Sequence, residues 1–167
     1  TENHGKCTGI VFGSTSKKIK GYLQIGNKLH LNYNYKIESK IGHFKVEICN
    51  AYTPAFFDNS KKLSCIISAM NLIKILTAEA QSNIKIYELI IKFYNILETK
   101  NWIKNYIFWE LELFKILGYD IEFKNLVDKV VSGNQLKYIS KSTSEKKIVP
   151  NFLIDKTQNT EDLKTLL

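Results

Sequence analysis

Arginine is absent from this chain of 167 residues: all 24 basic side chains are lysine. Any phosphate contact must therefore use the compact charge of an ammonium group, not the bidentate fork of a guanidinium. Lys, Asn, Ile and Tyr without Arg is the composition that AT-rich codons produce, so the absence itself makes no structural demand. Cysteine is scarce as well. Cys7, Cys49 and Cys65 form no CxxC pair, and their odd number argues against a disulfide framework and for a reducing cytoplasm. Cys7 and Cys49 fall within apolar strand patterns and are expected to be buried small hydrophobes. His4, His30 and His43 show no close ligand spacing, so a structural zinc site is not expected. No apolar run approaches the ~18 residues that span a bilayer, and no secretory signal is visible.

What is present is a basic, moderately apolar chain. The apolar fraction of 44% supports a packed core and excludes wholesale disorder. The length allows one ordinary domain or two small ones. Net charge is +8, and it is uneven. Residues 1–50 hold eight lysines against Glu2, Glu38 and Glu47, whereas residues 51–150 hold fourteen against ten acids. A basic surface favours polyanions such as nucleic acid or anionic lipid. The alternative is a solvated basic surface with no partner.

The hydrophobic pattern changes near residue 50. Lys6 to Gly13 reads as a strand, and Ser14 to Lys20 as a polar, basic loop. Gly26-Asn27 is a turn signal. Leu29, Leu31, Tyr33, Tyr35 and Ile37 then alternate with His30, Asn32, Asn34 and Lys36, the clearest strand in the chain. From Gly42, Phe44, Val46 and Ile48 alternate with His43, Lys45 and Glu47. Three such strands predict a curled antiparallel sheet or partial barrel of the OB type. A closed barrel needs about five strands. The shortfall, with an opening at Thr1, predicts further sequence before the first residue.

Pro54 ends the alternation. Helical spacing follows over about 59–80, with Leu63, Ile66, Ile67, Met70, Ile73 and Leu76 on one face. Ser82-Asn83 can cap a second helix carrying Ile86, Leu89, Ile90, Phe93 and Leu97. A third covers about 101–117 with Trp102, Tyr106, Trp109, Leu113 and Leu117 as its stripe, and Gly118 as its left-handed stop. Leu136 to Ser140 and Lys146 to Val149 are strand-like, and a last helix is expected near Thr160. The fold class is thus α+β: a partial OB-like antiparallel β-barrel over residues 1–55, followed by an α-helical domain over 56–167 with a small hairpin near 134–150.

The candidate chemistry is binding. Lys17, Lys18 and Lys20 lie together, with Lys6 and Lys28 nearby in sequence. Open barrels bind single strands with basic residues and stacking aromatics. Tyr22, Tyr33 and Tyr35 are the available rings, although Tyr33 and Tyr35 share the apolar face and suit a core. Trp102, Phe108, Trp109 and Phe114 could line a peptide groove or simply pack. Glu110 and Glu112 stand two apart on a helix and share no face, so they make no acid–base pair. No nucleophile elbow, phosphate loop or dinucleotide fingerprint is present, and nothing supports an enzyme, a cofactor or a metal.

Several segments together resemble the bacterial DNA repair family RecO. They are Gln24-Ile25-Gly26-Asn27-Lys28-Leu29, then Ile41-Gly42-His43-Phe44-Lys45-Val46-Glu47, then Trp109 to Tyr119 with its Leu-Gly-Tyr ending, and Gly133-Asn134 before Leu136-Lys137-Tyr138-Ile139-Ser140. His4-Gly5 resembles a family His-Gly near residue thirty, so the resemblance implies missing strands at the start and an end that falls short. It implies a non-catalytic recombination mediator that binds single- and double-stranded DNA, anneals complementary strands and helps load recombinase on DNA coated by single-strand-binding protein. The implied partners are RecR and the C-terminal tail of single-strand-binding protein, and the implied location is cytoplasmic, at the nucleoid. Lys17, Lys18 and Lys20 match a basic stretch of the family barrel. Some members carry four zinc-ligand cysteines after the Leu-Gly-aromatic helix; Asp120 to Leu136 has none. The alternative readings are an interaction scaffold with an incidental basic segment and a generic OB-fold nucleic-acid-binding protein.

Overall fold

In the computed structural model, the described residues are 1–34, 41–133, 135–141 and 146–154. They fall into two compact units that divide between Tyr119 and Asp120.

The first unit begins with a three-stranded sheet in the order β1 (Gly9–Val11), β3 (Gly42–Asn50), β2 (Lys28–Asn34). β2 and β3 run antiparallel, with Tyr33 opposite Phe44 and Leu31 opposite Val46. The α+β class holds, but the sheet is open, and among the described residues no barrel closes. Nor is it wholly antiparallel: β1 lies parallel to β3, with Gly9 opposite Gly42 and Val11 opposite Phe44. The reason is the connection. Residues expected to be a loop instead form α1 (Lys17–Tyr22) between β1 and β2. Ser16 caps it by accepting from the Ile19 amide at 3.3 Å, and Ile19 with Tyr22 supplies an apolar pair three residues apart. A hairpin would return the chain beside β1; this longer link delivers β2 to the far side of β3.

The first strand is shorter than the expected span of Lys6 to Gly13, and Cys7 falls outside it. Cys7 and Cys49 are exposed rather than buried. Cys49 stands near the end of β3, where its thiol contacts the Asn50 side-chain oxygen. Tyr35 and Ile37, expected to extend β2, lie outside the described residues, as does the helix expected near Thr160.

The helical part follows the sequence pattern closely. α2 (Ser60–Leu76) is capped by Asn59, which accepts from the Lys62 amide at 3.1 Å. It stops four residues before the expected end, because Thr77 turns extended and its hydroxyl bonds back to the Ile73 carbonyl. α3 (Ile84–Glu98) is capped by Asn83 through the Ile86 amide at 3.2 Å. α4 (Trp102–Ile116) ends at Leu117, and Gly118 takes φ +89°, the left-handed stop. Ile66, Ala69, Leu89, Phe93, Leu97, Tyr106, Trp109 and Leu113 form the core. Trp109 is only 1% exposed, and its indole Nε1 donates to the Leu89 carbonyl at 2.7 Å. It therefore packs the interior and lines no groove, since a buried indole is stable only with its N–H satisfied.

In the second unit, β4 (Val127–Ser132), β5 (Gln135–Ser140) and β6 (Ile148–Val149) form an antiparallel sheet in chain order. Its small core is Val127, Tyr138 and Ile154. β4 was hidden from the alternation reading because Asp128 and Lys129 are adjacent and put charge on both faces.

Candidate nucleic-acid interface

The Gly26-Asn27 turn joins the sheet to the helices. The Asn27 amide donates to the Gly21 and Tyr22 carbonyls at 3.3 Å each, which closes the C-terminal end of α1. Its oxygen accepts from the Thr53 amide at 3.2 Å. The Thr53 hydroxyl donates to the Ile25 carbonyl at 2.5 Å, and the Tyr94 hydroxyl of α3 donates to the Gly26 carbonyl. Tyr94 in turn stacks on Tyr52 with ring centroids 4.0 Å apart. Gly26 is required twice over. Its φ is +94°, and an added Cβ would stand 2.7 Å from Ile66 Cγ2 and 2.8 Å from the Thr53 hydroxyl.

This junction sets the position of α1. Lys17, Lys18 and Lys20 are all exposed on it, and none makes an ion pair among the described residues. α1 has no acidic residue in its first turn. Lysines at a helix N-terminus are electrostatically unfavourable for the helix itself, so local stability does not explain them. Lys18 Nζ sits 6.0 Å from the Tyr22 ring centroid. Lys28, directly after Asn27, is half-buried at the start of β2.

Lys6 stands apart from this group. Its ammonium donates to the Lys74 carbonyl at 3.0 Å and the Thr77 carbonyl at 2.6 Å, closing the C-terminal end of α2. Glu79 lies 4.0 Å away, and the Lys6 carbonyl accepts from the Ala80 amide at 2.8 Å. Beside it opens a cleft of about 430 Å³. Met70, Ile73, Ile86 and Ile90 line it with Lys74 and Tyr87.

The sheet has two faces. Val11, Phe44, Leu31, Val46 and Ile48 share one by the pleat and the register. Tyr33 shares it too but is 47% exposed, so it is no core residue. On the other face, His43, Lys45 and Glu47 of β3 stand opposite Asn34, Asn32 and His30 of β2. There Phe12, immediately past β1, rests its ring on His43 at 4.7 Å. Sequence reading passed over Phe12; the signal was its two-residue step from Ile10 just before a glycine.

A family profile described as recombination protein O C terminal matches residues 58–161. DNA repair protein RecO of Rickettsia canadensis is 30% identical over 166 residues, covering 92% of this chain and 68% of that protein. The namesake of Wolbachia pipientis subsp. Culex pipiens is 28% identical over 145 residues, covering 86% and 59%. That of Rhodospirillum centenum is 23% identical over 144 residues, covering 86% and 58%. The chain belongs to the RecO family. RecO proteins are DNA repair proteins by name, and this chain spans between 58% and 68% of the length of these three relatives. No solved structure matches.

The RecO-like Gly-Asn pair now has a physical role, as the joint just described. The Leu-Gly-Tyr ending of α4 is its helix stop. Among the described residues, no group of three or more His, Cys, Asp or Glu side chains comes together. Among them too, no helix is long and apolar enough to cross a membrane.

Proposed function

We propose that this chain is a non-catalytic DNA recombination mediator. It binds single- and double-stranded DNA, pairs complementary strands, and helps load recombinase on DNA coated by single-strand-binding protein. The observation that carries this reading is the cluster of exposed lysines, Lys17, Lys18 and Lys20, on α1, which make no ion pair among the described residues, in a chain of the RecO family. The mechanism is electrostatic. Ammonium groups neutralise phosphates on two strands at once and lower the repulsion that keeps them apart. Lys28 adds charge at the start of β2. Lys6 contributes its charge at the cleft rather than on α1.

In this reading β1, β2 and β3 are part of an OB-like barrel, residues 1–55 hold DNA, and residues 56–167 dock proteins at the nucleoid. The cleft beside Lys6 and Lys74 combines an apolar floor with positive charge, which suits the acidic C-terminal tail of single-strand-binding protein. RecR is the second partner. The same cleft also favours a simpler alternative, a protein-interaction scaffold whose basic segment is incidental.

Fluorescence-detected annealing of complementary oligonucleotides tests the mediator. The triple charge reversal Lys17→Glu, Lys18→Glu, Lys20→Glu is expected to abolish most annealing and to reduce the slope of log affinity against log salt by about two to three for single strands. Unchanged annealing moves the DNA face elsewhere. Binding that ignores salt altogether favours the scaffold.

A further inference from the structure

The sheet carries an aromatic feature that the lysine reading does not use. Phe12 is 70% exposed and Ile10 45% exposed, both on the polar face of the sheet. An exposed phenyl ring costs solvation free energy wherever it merely meets water. Here the ring is also oriented. It tilts at 37° against His43 with centroids 4.7 Å apart, and the Nδ1 of His43 is buried without a hydrogen-bond partner. The Phe12 ring therefore packs on an imidazole that β3 holds between Ile10 of β1 and Asn34 of β2. Around the two rings stand Asn32, Asn34 and Lys45, all exposed and all able to donate hydrogen bonds. Lys17 follows Phe12 by five residues, a chain reach of at most ~18 Å.

An exposed ring could equally be a protein contact. The surrounding charge decides between the two. Residues 1–50 are the most cationic part of the chain, and besides Ile10 the face carries the amide and ammonium donors of Asn32, Asn34 and Lys45. That combination suits a polyanion carrying flat, stackable groups. We propose that Phe12, backed by His43, is a stacking platform for one unpaired base of a single-stranded nucleic acid whose phosphates meet the lysines of α1. The proposal rests on the DNA-binding reading above and adds to it a site that responds to bases rather than to phosphates.

The test is equilibrium binding of the chain to a short single-stranded oligonucleotide and to its abasic counterpart, with Phe12→Ala and Phe12→Trp. Loss of one stacked base is expected to weaken binding of the normal strand roughly 5- to 150-fold in Phe12→Ala. The slope of log affinity against log salt should stay unchanged, because no phosphate contact is lost. Phe12→Trp should retain affinity, and the abasic strand should bind wild type and Phe12→Ala alike. Equal affinity of wild type and Phe12→Ala for the normal strand overturns the platform, while the lysine reading survives if the triple reversal still weakens binding. A fall in thermal midpoint for Phe12→Ala with unchanged DNA binding also overturns it and makes the ring a packing surface. Absence of any salt-dependent binding in wild type overturns both readings.

Discussion

The helices and the sheet of the first unit are built on opposite terms. α2, α3 and α4 close around a shared interior in which Ile66, Phe93, Leu97, Trp109 and Leu113 are almost wholly buried. In the sheet, Val46 is the one residue among the buried hydrophobics, and aromatic rings such as Phe12 and Tyr33 stand half-open or more. A helix can satisfy its backbone alone and needs neighbours only for its apolar stripe. A strand needs neighbours for both. The sheet therefore depends on its joint to the helices, through Asn27, Thr53 and Tyr94, in a way that the helices do not depend on the sheet. The difference separates the two tasks as well, with stability residing in the bundle and exposed binding groups on the sheet and α1.

The largest expected effect is in the bundle. Trp109→Ala removes a fully buried ring and orphans the bond to Leu89, so unfolding free energy should fall by about 3–5 kcal/mol in urea titration. A loss under ~1 kcal/mol, the range of surface substitutions, would break the claim that this interior carries the stability. The joint comes next. Gly26→Ala combines a left-handed backbone with contacts to Ile66 and Thr53 that are too close, and about 2–3 kcal/mol is expected. If the comparison is right, hydrogen exchange should rise more in β2 and β3 than in α3 and α4.

The smallest effect concerns Tyr94. Burial, with the Tyr52 ring beside it, pushes the Tyr94 hydroxyl well above its ordinary value near 10. Because the folded state holds this proton more tightly, its contribution is intact below the ordinary tyrosine range. It is lost as pH rises above about 10, where the unfolded chain has already ionised. Tyr94→Phe should cost about 1 kcal/mol at neutral pH by removing the bond to Gly26. It should also flatten the alkaline part of the stability curve, followed by urea midpoints between neutral and alkaline pH. Tyr106, raised chiefly by burial and then by the nearby Glu110, leaves a residual slope in that variant.

Legibility differed between the same regions. The 3.6-residue stripes, the Asn83 cap and the Gly118 stop were readable because each depends on residues within a turn or two. β2 and β3 were readable where alternation was clean. α1 was not, since a six-residue helix carries too little periodicity to outweigh its lysines. Burial at Cys7 and Cys49 was misjudged because alternation reveals which face a residue takes, not whether anything covers that face. The lysine cluster was visible in the primary sequence. The Phe12–His43 contact was not, because the two residues lie thirty-one positions apart and meet only through the β1–β3 register.

Primary sequence alone determined the α+β class, the bundle stripe, the basic bias and the family, because these are sums over local patterns. Tertiary structure alone decided which strand pairs with which and which rings meet solvent. It also decided that Lys6 closes a helix while Lys17, Lys18 and Lys20 remain free of ion pairs among the described residues. Those outcomes depend on partners brought together from distant parts of the chain, and no local pattern encodes who those partners are.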